Sequence, residues 1–197
     1  NLGGVCLNWG CIPTKSLLKN AEVLDVIKEA SKYGIEISDY KVDWSKVIKR
    51  SRDISKRLNK GIEFLMKKNN ITYISGFGKI VDSNIVRVES NNETKIKISA
   101  EKIIIATGAR SKSFAGMEPD GKRIITSKEA MNQLEQPKSL IIIGAGAIGV
   151  EFAHFFNSFG TDVTIIEAEK NILPIEDESI SLELTKIFKK RKIEIMT

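Results

Sequence analysis

One glycine-rich turn constrains the fold of this chain more than any other segment. The apolar run 140–143 leads directly into Gly144-x-Gly146-x-x-Gly149, and an apolar pattern with helical spacing follows. Gly144 permits a tight turn, Gly146 allows another molecule to approach the backbone, and Gly149 lets a helix pack against a strand. A second apolar run, 163–167, comes next. This order predicts a β-α-β unit with a parallel sheet, and therefore an α/β fold.

The same unit predicts a dinucleotide site. A helix that begins after Gly146 presents free backbone N–H groups and a positive dipole end to a pyrophosphate. Glu167 follows Gly149 by 18 residues, where a carboxylate can accept hydrogen bonds from an adenosine ribose. Because a carboxylate repels a 2′-phosphate, the sequence favours NAD over NADP. The alternative is a glycine-rich turn that holds no ligand.

The chain has two cysteines, Cys6 and Cys11, separated by four residues at the start of an apparent helix. Cysteines this close can form a small, easily reduced disulfide, and a helix N-terminus stabilises a thiolate. Pro13 suits the first turn of that helix. Inert cysteines or half of a metal site are the alternatives, but no set of further metal ligands is evident. The single histidine, His154, lies far along the chain, and we expect a structural role for it.

Composition narrows the class of protein. A chain of 197 residues with 42% hydrophobic and 28% charged residues is typical of a globular protein with one or two domains. No apolar run is long enough to span a membrane. Nine of the 31 basic residues lie within 44–69, a segment that also carries an apolar stripe at helical spacing. We interpret this segment as a helix with a solvated basic face and predict no nucleic-acid partner.

The remaining patterns predict the other elements. Helices are expected over 13–34, 44–69, 128–134, 147–159 and 179–191, with Asp43 as the N-cap of the second. Strands are expected over 71–75, 79–81, 85–89 and 95–99, where they form a small antiparallel meander with a turn at 91–92. Residues 103–108 are predicted to be a buried strand that ends in a small-residue turn. Parallel strands are expected over 140–143 and 163–167, and one begins at Ile193.

The cysteine segment also carries a family resemblance. GGVCLNWGCIPTKSLL at 3–18 resembles the redox-active segment of the flavoprotein disulfide reductases, most closely in their dihydrolipoamide dehydrogenase branch. Glutathione and mercuric reductases share the Gly-Gly-x-Cys…Gly-Cys frame, whereas Cys-Leu-Asn and Cys-Ile-Pro-Thr-Lys-x-Leu-Leu are closer to the lipoamide branch. Trp9 stands where many relatives have a small apolar residue. The resemblance extends over essentially the whole chain.

This resemblance implies a Rossmann-like α/β flavoprotein with two domains, one for FAD and one for NAD(P). Residues 1–115 would form part of the FAD-binding domain with the redox helix and the antiparallel meander. Residues 116–137 would be a linker, and 138–197 would be the N-terminal part of the NAD-binding domain. The resemblance also predicts a truncated chain, without the N-terminal FAD fingerprint and the C-terminal dimerisation domain that holds a His-Glu acid–base pair.

The resemblance further implies FAD and NAD as cofactors and assigns residues to them. Lys15 would lie beside the isoalloxazine ring and pair with Glu151. Cys6 would exchange with the substrate thiol, while Cys11 would lie against the flavin and pass electrons to it. The implied flavin contacts are Gly78, Thr107, Gly108 and Ala109.

The implied activity is oxidation of dihydrolipoyl groups of 2-oxo acid dehydrogenase complexes with reduction of NAD. The implied enzyme is a homodimer whose partner is a dihydrolipoyl domain, and it is cytoplasmic, or in the mitochondrial matrix of a eukaryote. A mercuric or glutathione reductase, or a flavin-free NAD-binding or thiol-redox module, are the alternatives. The 197-residue chain alone is predicted to be nearly inactive.

Overall fold

A computed structural model describes residues 2–89 and 95–197, and these contain two separate three-stranded sheets with helices around them. The N-terminal part is helical: α1 covers Gly4–Trp9 and α2 covers Cys11–Lys28. A 3-10 turn, Ala30–Tyr33, follows, and Gly34 ends it with a left-handed φ of 75°. The predicted helix over 13–34 is therefore confirmed in position but consists of two pieces.

The basic segment forms one long helix, α3, over Trp44–Lys68. Asp43 caps it as predicted, because its carboxylate accepts a hydrogen bond from the Lys46 N–H at 3.1 Å. Hydrogen bonds from Ser45 and Lys46 lower the pKa of Asp43. The face of α3 that packs against α2 buries Ile48, and most of the charged side chains of α3 are exposed, with Arg52 partly buried.

The C-terminal part is the predicted β-α-β unit. Strands β4 (Ser139–Ile143), β5 (Asp162–Ile166) and β6 (Glu194–Met196) lie in that order and are parallel. Helix α5 (Ala147–Ser158) connects β4 to β5, and α6 (Glu178–Lys190) connects β5 to β6. The hydrogen-bond register pairs Leu140 with Val163, so the two predicted apolar runs lie side by side.

One hydrophobic core joins the redox helix to this unit. Helix α5 is apolar over much of its surface and buries Phe152, Phe155 and Phe156. Two of these rings lie against Trp44 at the start of α3, with centroid separations of 5.5 Å to Phe155 and 5.8 Å to Phe156. Leu17 of α2 belongs to the same core. Burial of these large side chains fixes α2 and α3 against the nucleotide-type unit.

The meander is confirmed, with β1 at Phe77–Asp82, β2 at Ile85–Glu89 and β3 at Lys95–Ser99 in antiparallel order. The predicted turn at 91–92 lies outside the described residues. The short helix α4 is present at Ser127–Ala130, where Thr126 and Glu129 form a capping box.

Two predicted strands are wrong. Residues 71–75 and 103–108 form no strand, and Ile104 and Ile105 are 89% and 71% exposed. The described residues place no neighbouring strand beside either segment. An apolar run becomes a buried strand only when another strand satisfies its backbone and a second layer covers its side chains.

Candidate redox and dinucleotide sites

The two cysteines lie at the junction of α1 and α2. Cys6 is in the first of these helices, Cys11 begins the second, and both are free, exposed thiols. Gly10 separates the helices at a point where a side chain has little room, because a Cβ there would lie 3.1 Å from the Cys6 Cα. The Thr14 hydroxyl donates to the Gly10 carbonyl at 2.7 Å and closes the junction.

The thiols interact with each other and with the N-terminus of α2. A hydrogen bond with the Cys11 thiol is the main cause of the raised pKa of Cys6, and partial desolvation adds to it. The backbone N–H groups of Cys11 and Ile12 act in the opposite direction. The helix N-terminus thus contacts Cys6 as expected, but the neighbouring sulfur has the larger effect on its pKa. The two exposed thiols, in one helix and at the start of the next, can form a disulfide.

An ion pair connects the redox helix to the glycine-rich unit. The Lys15 ammonium of α2 lies 2.5 Å from the Glu151 carboxylate of α5. The Glu151 side chain is one-quarter exposed, whereas that of Lys15 is mostly in solvent. The structure therefore brings together these two residues, which are 136 positions apart in the sequence.

A second polar cluster, which sequence reasoning missed, ties the other end of α2 to the same unit. Arg191 donates to the Asp25 carboxylate at 2.6 Å, and the Ser158 hydroxyl contacts both side chains at 3.2 Å. Lys28 donates to the Ser158 carbonyl. Burial lowers the pKa of His154 nearby, with a smaller contribution from Arg191. Asp25 and Arg191 are 166 residues apart, so no local pattern could indicate this cluster.

The glycine turn has the geometry that the sequence predicts. Gly144 has a φ of 101°, and a Cβ on Gly149 would lie 2.0 Å from the Gly144 carbonyl oxygen. No atom lies within 4 Å of the Cβ position of Gly146, the N-cap of α5. The N-terminus of α5 has no side-chain cap. Open space and uncapped N–H groups are the features that a pyrophosphate requires.

Glu167 directly follows β5, and its side chain stabilises the glycine turn by hydrogen bonding. One carboxylate oxygen accepts from the Ala145 N–H at 2.6 Å, and the other accepts from the Glu169 N–H at 3.1 Å. These hydrogen bonds lower the pKa of Glu167, so the side chain is a carboxylate at neutral pH. Its position beside the turn agrees with the predicted placement, and its contacts show that it also orders the turn.

The model of the family described as pyridine nucleotide-disulphide oxidoreductase matches residues 1–197. The chain belongs to this family. It is 44% identical over its whole length to a dihydrolipoyl dehydrogenase of Zymomonas mobilis, of which it covers 42%. It is 40% identical to a dihydrolipoyl dehydrogenase of Bacillus subtilis, of which it covers 43%. The chain thus spans less than half the length of these relatives.

Solved structures agree with this assignment. LpdA from Mycobacterium tuberculosis superposes on the whole chain with a TM-score of 0.91 at 22% identity, and the chain covers 43% of it. At that identity the likeness shows the fold alone. The HOCl-induced flavoprotein disulfide reductase RclA from Escherichia coli gives a TM-score of 0.82 at 31% identity, with 98% of this chain and 40% of that chain covered. The predicted Rossmann-like FAD/NAD-binding α/β fold is confirmed.

Pyridine nucleotide-disulphide oxidoreductases of the dihydrolipoyl dehydrogenase type use FAD and NAD. The glycine turn of this chain fits NAD through its open N-terminal helix end. The four residues assigned to FAD are all exposed. Gly108 has a φ of 76° and nothing within 4 Å of its Cβ position, so a ligand can approach its backbone. The described residues do not gather Gly78, Thr107, Gly108 and Ala109 into a pocket, and their flavin contacts stay predictions.

In the part of the chain that the structure describes, no helix is long and apolar enough to cross a membrane. The histidine, cysteine and acidic side chains of the same part form no cluster of three or more that could hold a metal ion.

Proposed function

We propose that this chain is part of an NAD-dependent dihydrolipoyl dehydrogenase. In this proposal Cys6 and Cys11 accept two electrons from dihydrolipoyl groups of 2-oxo acid dehydrogenase complexes, and NAD receives them through FAD. The Lys15–Glu151 ion pair carries the proposal, because it links the helix of the thiol pair to the helix of the nucleotide turn. The names of the curated relatives support the substrate class.

In this proposal the roles of the two thiols are those that the family resemblance implies, and both thiols are exposed. A substrate thiolate attacks the exposed Cys6 sulfur of the Cys6–Cys11 disulfide, forms a mixed disulfide, and releases Cys11 as a thiolate. The second substrate thiolate then attacks the substrate sulfur of the mixed disulfide, forms a bond between the two substrate sulfurs, and releases Cys6 as a thiolate. The substrate becomes a cyclic disulfide, and the two cysteines hold its two electrons. FAD, when bound, supplies the two-electron carrier between this dithiol and NAD.

The two charged residues and the glycine turn have supporting roles. Lys15 places a positive charge one helical turn after Cys11, where it favours a neighbouring anion. Glu151 fixes the Lys15 side chain, and its own helix begins at the turn that would hold the NAD pyrophosphate. We also propose a homodimer for the complete protein, a dihydrolipoyl domain as its partner, and a cytoplasmic or mitochondrial-matrix location.

The test is NAD reduction by the complete protein with dihydrolipoamide as the electron donor. Cys6→Ser and Cys11→Ser should each reduce turnover by at least a thousandfold, because neither variant can form the disulfide. Lys19→Gln is the control, since Lys19 lies on the same helix and pairs with the exposed Glu22. The 197-residue chain alone should show little of this activity.

Other results would contradict the proposal in specific ways. Turnover with glutathione disulfide or mercuric ion, and none with dihydrolipoamide, would indicate another reductase of the family. A colourless complete protein that binds NAD but shows no thiol-dependent NAD reduction would indicate a flavin-free module.

A further inference from the structure

Trp9 lies between the two cysteines in the sequence, and two cations lie close to its ring. It is the last residue of α1 and is partly buried. The Arg52 guanidinium lies 5.0 Å from its ring centroid, and the Lys128 ammonium lies 4.9 Å from it. Arg52 belongs to α3 and Lys128 to α4. Both separations are within the range of cation–π attraction, which is strongest for tryptophan.

A hydrogen bond and partial burial hold the Arg52 side chain in this position. Its guanidinium donates to the Asn8 carbonyl at 2.9 Å, and burial lowers its pKa. Its Nε is buried and has no hydrogen-bond partner among the described residues. The guanidinium has therefore lost part of its hydration, and the indole face is the group that compensates for this loss.

The residue before Trp9 is fixed as well. Asn8 is 6% exposed, and its amide donates to the Leu2 and Gly4 carbonyls at 2.8 Å. Its side-chain oxygen accepts from the Asn59 amide of α3 at 2.6 Å. The segment between Cys6 and Cys11 is thus anchored to α3 and α4, while the two cysteines at its ends stay exposed.

We propose that Trp9 is a positioning residue that keeps the Cys6 and Cys11 sulfurs adjacent when the disulfide is open. The inference rests on the proposed function, because it requires that this pair forms a disulfide. A dithiol that is already held in place loses little conformational entropy when it closes. The anchored segment between the cysteines therefore favours the disulfide and makes the dithiol a stronger reductant. A small residue at position 9 would release the segment between the cysteines and favour the dithiol.

The balanced reaction for the test is dithiol plus glutathione disulfide giving protein disulfide plus two glutathione. The holoenzyme is equilibrated anaerobically in glutathione buffers of graded ratio, quenched in acid and alkylated. Mass spectrometry of the peptide that contains both cysteines then gives the oxidised fraction. Trp9→Val should lower the equilibrium constant for disulfide formation about fivefold to tenfold, where tenfold corresponds to about 30 mV.

Three variants separate positioning from general stability. Trp9→Phe keeps an aromatic face and should retain most of the wild-type constant. Lys128→Met removes one exposed cation and should lower the constant about twofold to threefold, which provides a test even if Trp9→Val does not fold. Trp44→Phe alters the other tryptophan, which packs in the core, and should leave the constant unchanged.

The outcomes are distinct. Equal constants for wild type, Trp9→Val and Lys128→Met would overturn the positioning role while leaving the proposed function intact. A shift in Trp44→Phe as large as that in Trp9→Val would also overturn it, because the effect would then follow core stability. If wild type forms no disulfide in the most oxidising buffer, the proposed function fails first.

Discussion

Two apolar segments of this chain have opposite surroundings. On α5, Phe155 and Phe156 are no more than 1% exposed, whereas Ile104 and Ile105 are 89% and 71% exposed. Sequence patterns predicted a helix for the first segment and a buried strand for the second. Helix α5 is buried because β5, α2 and Trp44 all pack against it. The comparison shows that an apolar run predicts a tendency to be buried, while its neighbours decide whether it is buried.

Strand β4 and residues 103–108 were both predicted to be strands, and they too differ in their neighbours. Strand β4 has β5 beside it, and each of its five residues has a register partner. Residues 103–108 have the same apolar character but no strand beside them in the described part of the chain. The meander is an intermediate case, since its backbone is paired but all of β1 is exposed. Backbone pairing and side-chain coverage are therefore separate requirements.

The largest effect is expected when an aromatic ring in the core is truncated. Phe156→Ala should lower the free energy of unfolding of this chain by about 3–5 kcal/mol, because it leaves a cavity among packed aromatic rings. Ile104→Ala, the matched truncation in the exposed segment, should change it by less than about 0.5 kcal/mol. Urea unfolding followed by circular dichroism measures both. Equal losses would mean that Ile104 is covered in solution.

The second test concerns the turn that positions α5. Gly149→Ala should cost about 1–3 kcal/mol, because the new methyl group would overlap the Gly144 carbonyl. It should also abolish NAD binding in a calorimetric titration, since the helix N-terminus must move. Gly61→Ala is the control: this glycine lies in α3 with open space around it, so alanine should stabilise by about 0.5–1 kcal/mol. Unchanged NAD affinity in Gly149→Ala would contradict the dinucleotide site.

The third test asks whether the polar contacts of the core region matter more than surface pairs. Asp25→Ala removes the partly buried partner of Arg191 and should cost about 1–2 kcal/mol in urea unfolding. Asp53→Ala breaks the exposed pair with Lys49 on α3 and should cost less than about 0.5 kcal/mol. A larger loss in Asp53→Ala would mean that the basic face of α3 has a structural role.

The smallest expected effect concerns His154 on α5. Its pKa lies below the ordinary value of 6.5 in the folded chain, mainly because of burial. The unfolded chain therefore binds a proton first as the pH falls below 6.5, and stability decreases until the pH has passed the folded pKa. His154→Gln should remove this part of the decrease. Unfolding midpoints at pH 7.5 and 5.5 provide the measurement, and an equal decrease in both proteins would contradict the assignment.

Much of the fold and of the candidate site could be predicted from local patterns. The limits of α5 differ from prediction by one residue at its end, and Asp43 caps α3 as expected. The glycine turn was predictable because the positive φ of Gly144 and the close approach of Gly149 to the Gly144 carbonyl are steric requirements within six residues. The exposure of segment 103–108 was not predictable, because its burial would require neighbouring strands that its own residues do not specify.

By itself, the sequence determined the order of the helices and of the strands other than 71–75 and 103–108, the geometry of the Gly144–Gly149 turn, and the closeness of Cys6 and Cys11. These features depend on backbone sterics and on contacts between near neighbours in the chain. Only the tertiary structure placed Arg52 and Lys128 against Trp9 and Arg191 against Asp25. The partners in those contacts are tens to more than a hundred residues apart, and packing of the shared core, which no short window of sequence contains, brings them together.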